Sequence, residues 1–134
     1  MTKAQPIDPS TLYPDAPYHY AMVTPVGGLV YTAGACPIDA EGEVVGPGDF
    51  EGQARVALDN LACTLEEAGS SLDKVVKTTV YVVTSDRSEL KRVWKVVEDR
   101  FGAIRPPSTL LGVSMLGYRN QLVEIEAVAL ATAE

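Results

Sequence analysis

Residues 122–131 alternate with a period of two, and this pattern constrains the fold more than any other feature of the chain. Successive side chains of a strand point to opposite faces. Val123, Ile125, Ala127 and Ala129 therefore share one wholly apolar face that must meet a core. Leu122, Glu124, Glu126, Val128 and Leu130 share the other, with two carboxylates about 7 Å apart along the strand. Carboxylates on a half-buried strand need partners, water or a ligand.

Upstream, the periodicity changes in a readable order. Residues 1–17 are rich in Pro, Asp and Thr and read as an extended arm. Residues 20–36 predict a hairpin turning at Gly27 and Gly28, followed by a second turn at Gly42 and a short strand over 43–45. Asp49 predicts an N-cap, Ala54, Ala57, Leu58, Leu61, Leu65 and Ala68 recur at helical spacing, and Gly69 marks the stop. The β-branched run 75–83 predicts a central strand. Asp86 with Glu89 has the form of a capping box, ahead of Leu90, Val93, Val97 and Phe101 at helical spacing. Two final strands, 109–116 and 122–131, are joined by Gly117, Tyr118, Arg119 and Asn120. The predicted order is β-β-β-α-β-α-β-β, an α+β domain over 1–134 with a mixed sheet and both helices on one face.

Composition removes several classes of function. The formal net charge is −7, which repels phosphate backbones and anionic membranes, and the basic residues are scattered. Phosphate-loop glycines, a Cys-x-x-Cys pair and a nucleophile-elbow serine are missing. The single histidine, His19, reads as a surface or edge residue, and no metal site is expected. Cys36 and Cys63 form no disulfide framework and read as buried free thiols. No charged-then-apolar leader is read, and the apolar stretches fall below the ~20 residues of a membrane span, so a cytoplasmic compartment is expected.

Motifs in order along the chain resemble the RidA/YjgF family of imine/enamine deaminases. Pro17 and Tyr18 match the start of its Pro-Tyr-Ser-Gln segment. Leu29, Val30, Tyr31, Thr32, Ala33 and Gly34, then Pro37, Ile38 and Asp39, are similar to its strand, Ser-Gly-Gln turn and Pro-Ile-Asp continuation. Gln53 with Asn60 and Leu61, residues 68–73 and 75–80, Arg105 with Pro106, and residues 123–127 complete the likeness. The resemblance implies a chorismate-mutase-like fold, a homotrimer with helices outward, and small-molecule clefts between subunits. It implies hydrolysis of imines and enamines, such as 2-aminoacrylate, with no metal or organic cofactor. Some members are described as endoribonucleases.

Carried over by position, Glu124 matches the water-placing glutamate, Tyr18 a cleft tyrosine, and Gly34 the glycine whose backbone approaches substrate. Ser108 falls where the substrate-binding arginine would stand, Trp94 on a helix asparagine, Tyr20 on a glutamine, and Ala35 on the turn glutamine. Losing a guanidinium removes a bidentate carboxylate clamp. Trp94 and Tyr20 would line the cleft with aromatic surface, and Arg119 is the candidate replacement cation. Glu126 reads as a structural partner. The expectation is a cofactor-independent hydrolase acting on a small imine or enamine other than 2-aminoacrylate. The alternatives are a non-catalytic trimer that binds a small metabolite, and RNA cleavage, which the acidic balance disfavours.

Overall fold

The apolar face of the last strand does meet a core: Val123, Ile125 and Ala129 are fully buried and Ala127 almost so. The protein is described here from a computed structural model, over residues 3–7, 10, 15, 21–23 and 27–131. Its elements are β1 (Gln5–Ile7), β2 (Ala21–Val23), β3 (Leu29–Tyr31), α1 (Phe50–Glu67), β4 (Val75–Val83), α2 (Arg87–Phe101), β5 (Ser108–Val113) and β6 (Val123–Leu130). Short 3-10 turns precede β4 and follow α2.

The order is the expected one, and β2 and β3 fall on two of the expected strands, but they do not pair as the expected hairpin: β2 pairs with β1, and β3 pairs with β6 in the other sheet. The arm contains β1, which pairs antiparallel with β2 as a separate two-stranded ribbon. The expected strand at 43–45 is reduced to a single bridge between Ile38 and Val44. Asp39 explains this: its Oδ1 accepts from the backbone N–H groups of Glu41 (3.0 Å) and Glu43 (2.9 Å), and Gly42 turns at φ 82°. A side chain that occupies those donors favours a tight turn over a ladder.

The main sheet runs β3-β6-β4-β5. β6 is antiparallel to both β3 and β4, whereas β4 and β5 are parallel, with α2 as the crossover between them. Both helices pack on one face, α1 over β6 and α2 over β5, giving the mixed α+β architecture expected.

Helix starts follow their caps. The Asp49 side chain accepts from Gly52 N–H at 2.9 Å, and Asp86 accepts from Ser88 N–H at 2.9 Å. The second cap departs from a capping box: Glu89 takes the Thr84 hydroxyl, and Thr84 in turn accepts from Asp86 N–H at 2.9 Å. Gly69, at φ 78°, closes α1. Across the helix pair, Arg92 grips Glu51 through two bonds of 2.8 Å and holds that carboxyl below its usual range.

The core is formed by Ala54, Ala57, Leu58, Leu61 and Leu65 of α1 and Val93, Val97 and Phe101 of α2, against the buried valines of the sheet and Ile125. Cys63 corrects an expectation. It is exposed, because it lies away from the Leu61 and Leu65 stripe of α1.

One buried polar side chain ties this core to the loop before β6. Gln53 is 0% exposed; its amide nitrogen donates to Asn120 O (2.9 Å) and Gly46 O (3.2 Å), and its oxygen accepts from Leu122 N–H (2.7 Å). Gln53→Leu keeps the volume but strands these groups, and should cost about 2–4 kcal/mol in urea unfolding. A loss below about 1 kcal/mol would show that water replaces the amide.

Candidate functional site

The register of β6 against β4 decides which candidate residues can meet. Glu124 lies opposite Tyr81 and Glu126 opposite Thr79, while Ile125 lies opposite Val80 in the core. Both glutamates therefore stand on the sheet face away from the helices.

The chain after β3 continues alongside β6 with irregular pairing. Thr32 N–H donates to Ala127 O at 3.0 Å, and Ala35 and Ile125 exchange bonds of 2.7 and 3.1 Å. This brings Gly34 against the Glu124 side chain. A Cβ on residue 34 would collide with Oε2, Cδ and Cγ of Glu124, so the carboxyl group occupies the space that glycine leaves. The segment is secured from α1, where Asn60 Nδ2 donates to Cys36 O (2.8 Å) and Ile38 O (3.1 Å).

Two donors converge on the other oxygen. Gln121 Nε2 lies 3.1 Å from Glu124 Oε1, and Cys36 Sγ lies 3.4 Å from it. Burial pushes the Cys36 thiol above its ordinary value, and the Glu124 charge pushes it further, so the sulfur keeps its proton and acts as donor. Glu126 has a different neighbour: the Tyr81 phenol is raised first by burial and then by the adjacent Glu126 carboxylate, which accepts its hydrogen bond. Tyr31, Thr32, Lys77, Thr79 and Glu126 line a shallow depression on this face.

Ser108 and Trp94 lie across the sheet from Glu124. Ser108 pairs with Thr78 in register, and the Thr78 hydroxyl donates to Ser108 Oγ at 2.7 Å on the helix-covered face. Trp94 is half-buried above them and lines a crevice with Thr78, Glu98, Arg105, Pro106 and Ser108. Arg105 holds a left-handed backbone conformation there, φ 46° and ψ 57°. Arg119 is exposed in the loop before β6. Within one chain, Glu124 and Gly34 are brought together, and Trp94 and Ser108 are brought together, but the two pairs are separated by the sheet. Tyr18, His19 and Tyr20 lie outside the described residues. Among the described residues, no group of three or more His, Cys, Asp or Glu side chains is placed to hold a metal ion.

Periodicity missed Cys36, Gln121 and Arg105 as members of these clusters. Gln121 carried a usable signal, since a long amide abutting an apolar strand must find buried partners. Cys36 carried none beyond its apolar surroundings.

The sequence profile of the family described as Endoribonuclease L-PSP matches residues 9–131. The chain belongs to the RidA/YjgF family. A RutC family protein of Pyrococcus abyssi is 38% identical over 111 residues, which cover 82% of this chain and 84% of that protein. TdcF of Escherichia coli, assigned by name as a reactive intermediate deaminase, is 30% identical over 116 residues, covering 85% and 88%. Among solved structures, the Rid family protein YyfB of Yersinia pestis aligns with TM-score 0.84 at 29% identity, covering 97% of this chain and 99% of that one. A Rid-type function follows for the chain as a family property.

Two outcomes test the geometry itself. Gly34→Ala should lower stability by about 1–3 kcal/mol, because the new methyl group overpacks the site. Its crystal structure should show the Glu124 carboxyl displaced; an unmoved carboxyl would mean that the backbone yields instead. Iodoacetamide should modify exposed Cys63 well before Cys36. A thiol whose folded pKa is raised contributes stability fully below the ordinary thiol value and loses it as pH rises through the folded one. Cys36 labelling should therefore accelerate only on the alkaline side, and equal labelling rates near neutrality would contradict its partial burial and its contact with Glu124.

Proposed function

We propose that the chain is a cofactor-independent hydrolase of imines and enamines, in which Glu124 orients the attacking water. The observation that carries this reading is the Glu124 carboxylate itself. One of its oxygens is held by two donors and the other lies over the bare Gly34 backbone. A carboxylate held in this way can accept a proton from a water placed against an electrophilic carbon.

The reaction balances without a redox partner. Water adds across C=N, its oxygen bonding to carbon and a proton going to nitrogen, to give a carbinolamine. Cleavage of the C–N bond then releases ammonia and leaves a carbonyl. An enamine enters the same sequence after protonation at carbon. The name of TdcF supports the chemical class.

Substrate choice is expected to differ from that of members with an arginine clamp. Ser108 is spent on Thr78, on the face away from Glu124, so this position supplies no fork for a carboxylate. A substrate less acidic or bulkier than 2-aminoacrylate fits that chemistry. Trp94 and Ser108 can enter a cleft with Glu124 only if it is formed by a second copy of the chain. A homotrimer with inter-subunit clefts is therefore part of the proposal, and mass in solution tests it.

A second reading is a trimeric binding protein without turnover, favoured by the same loss of arginine at residue 108. The two separate cleanly. Imines generated in situ by an amino-acid oxidase should release ammonia faster with wild-type protein, and Glu124→Gln should lower the rate constant by about 100-fold or more. Equal rates for the two proteins would remove the mechanism. Ligand-induced thermal stabilisation without ammonia release would favour binding alone.

A further inference from the structure

We infer that Gln121 and Cys36 are positioning residues that together select the working oxygen of Glu124, fixing Oε1 so that Oε2 is held over the bare Gly34 backbone. This rests on the reading of Glu124 as the water-orienting carboxylate.

Gln121 is built for the task. It is 3% exposed, and each of its polar atoms has an assigned partner. The amide oxygen accepts from Tyr118 N–H at 3.1 Å. The amide nitrogen donates to Val123 O and to Glu124 Oε1, both at 3.1 Å. A primary amide has two N–H groups and both are used. Flipping it would set its oxygen against two acceptors and its NH2 group against the Tyr118 N–H, so only one orientation is compatible with these neighbours.

Cys36 supplies the second donor. Its single S–H has two acceptors within reach, Glu124 Oε1 at 3.4 Å and Gly34 O at 3.5 Å. The carboxylate is the stronger acceptor because it is charged. Asn60 holds the backbone of Cys36, so the sulfur approaches Oε1 from a fixed point. One oxygen thus receives two anchored donors from two different segments, Cys36 after β3 and Gln121 before β6. The second occupies the space that any side chain on residue 34 would need.

The test compares Gln121→Met, Cys36→Ala, Cys36→Ser and Glu124→Gln on the in situ imine substrates. Gln121→Met should lower kcat about 10–100-fold with KM little changed, the effect of losing a hydrogen bond to a charged group. Cys36→Ala should lower kcat by a smaller factor, and Cys36→Ser, which keeps a donor, should recover it. Purely structural roles would lower Tm without this split or this rescue. If Glu124→Gln abolishes turnover while Gln121→Met and Cys36→Ala keep wild-type kcat, the positioning inference falls and the role of Glu124 stands. If Glu124→Gln retains activity, both fall. A crystal structure of the Gln121→Met, Cys36→Ala double variant gives a readout independent of turnover. The Glu124 carboxyl should leave its place over Gly34, and an unmoved carboxyl overturns the inference.

Discussion

The pairing of β6 with β4 is the constraint from which the remaining geometry follows. Val80 opposite Ile125 and Val82 opposite Val123 join two buried rows beneath the helices. The same register sets Tyr81 beside Glu124 and Thr79 beside Glu126 on the far side. A slip of one residue would drive both carboxylates into the core and turn Ile125 outward, at a cost of several kcal/mol per buried charge. The apolar alternation that stabilises the sheet is therefore also what locates the two acids.

Buried amides provide the second level of order. Gln53 reaches from α1 into the loop ahead of β6, and Gln121 braces that loop against the start of the strand. Hydrogen bonds of this kind contribute little net stability when made but are costly to leave unmade, so they specify one loop path among many. Asn60 does the same for the segment carrying Gly34 and Cys36. All three amides hold backbone groups, and Gln121 also holds the Glu124 carboxylate, so the site is framed by main chain fixed at chosen points.

Regular elements were legible in the residues wherever burial repeats with a simple period. β4 coincides with the β-branched run, α1 and α2 begin at the two predicted aspartate caps, and β6 shows the expected dry and mixed faces. Of the N-terminal strands, β2 and β3 were legible in place but not in pairing. β1 has three residues, too few to establish a period, and Asp39 turned a plausible strand into a tight turn through its own side chain. The site was legible in part. Glu124 and Gly34 could be named, but their contact depends on the irregular path between residues 32 and 36, which no periodicity encodes. That Trp94 and Ser108 lie across the sheet from Glu124 depends on the parallel register of β4 with β5, a long-range fact that spacing along the chain does not contain.

The strand that comes last in chain order stands inside the sheet, flanked by β3 and β4. As the chain grows, β3, β4, β5 and both helices are all available before β6 exists, yet the sheet cannot close without it. Until then β3 and β4 each present an unpaired edge, and the apolar undersides of α1 and α2 have only part of their cover. Completion of the fold and arrival of Glu124 are one event. A nascent chain thus carries the surroundings of this carboxylate before the carboxylate itself, and Glu124 takes its place only with the strand that completes the sheet.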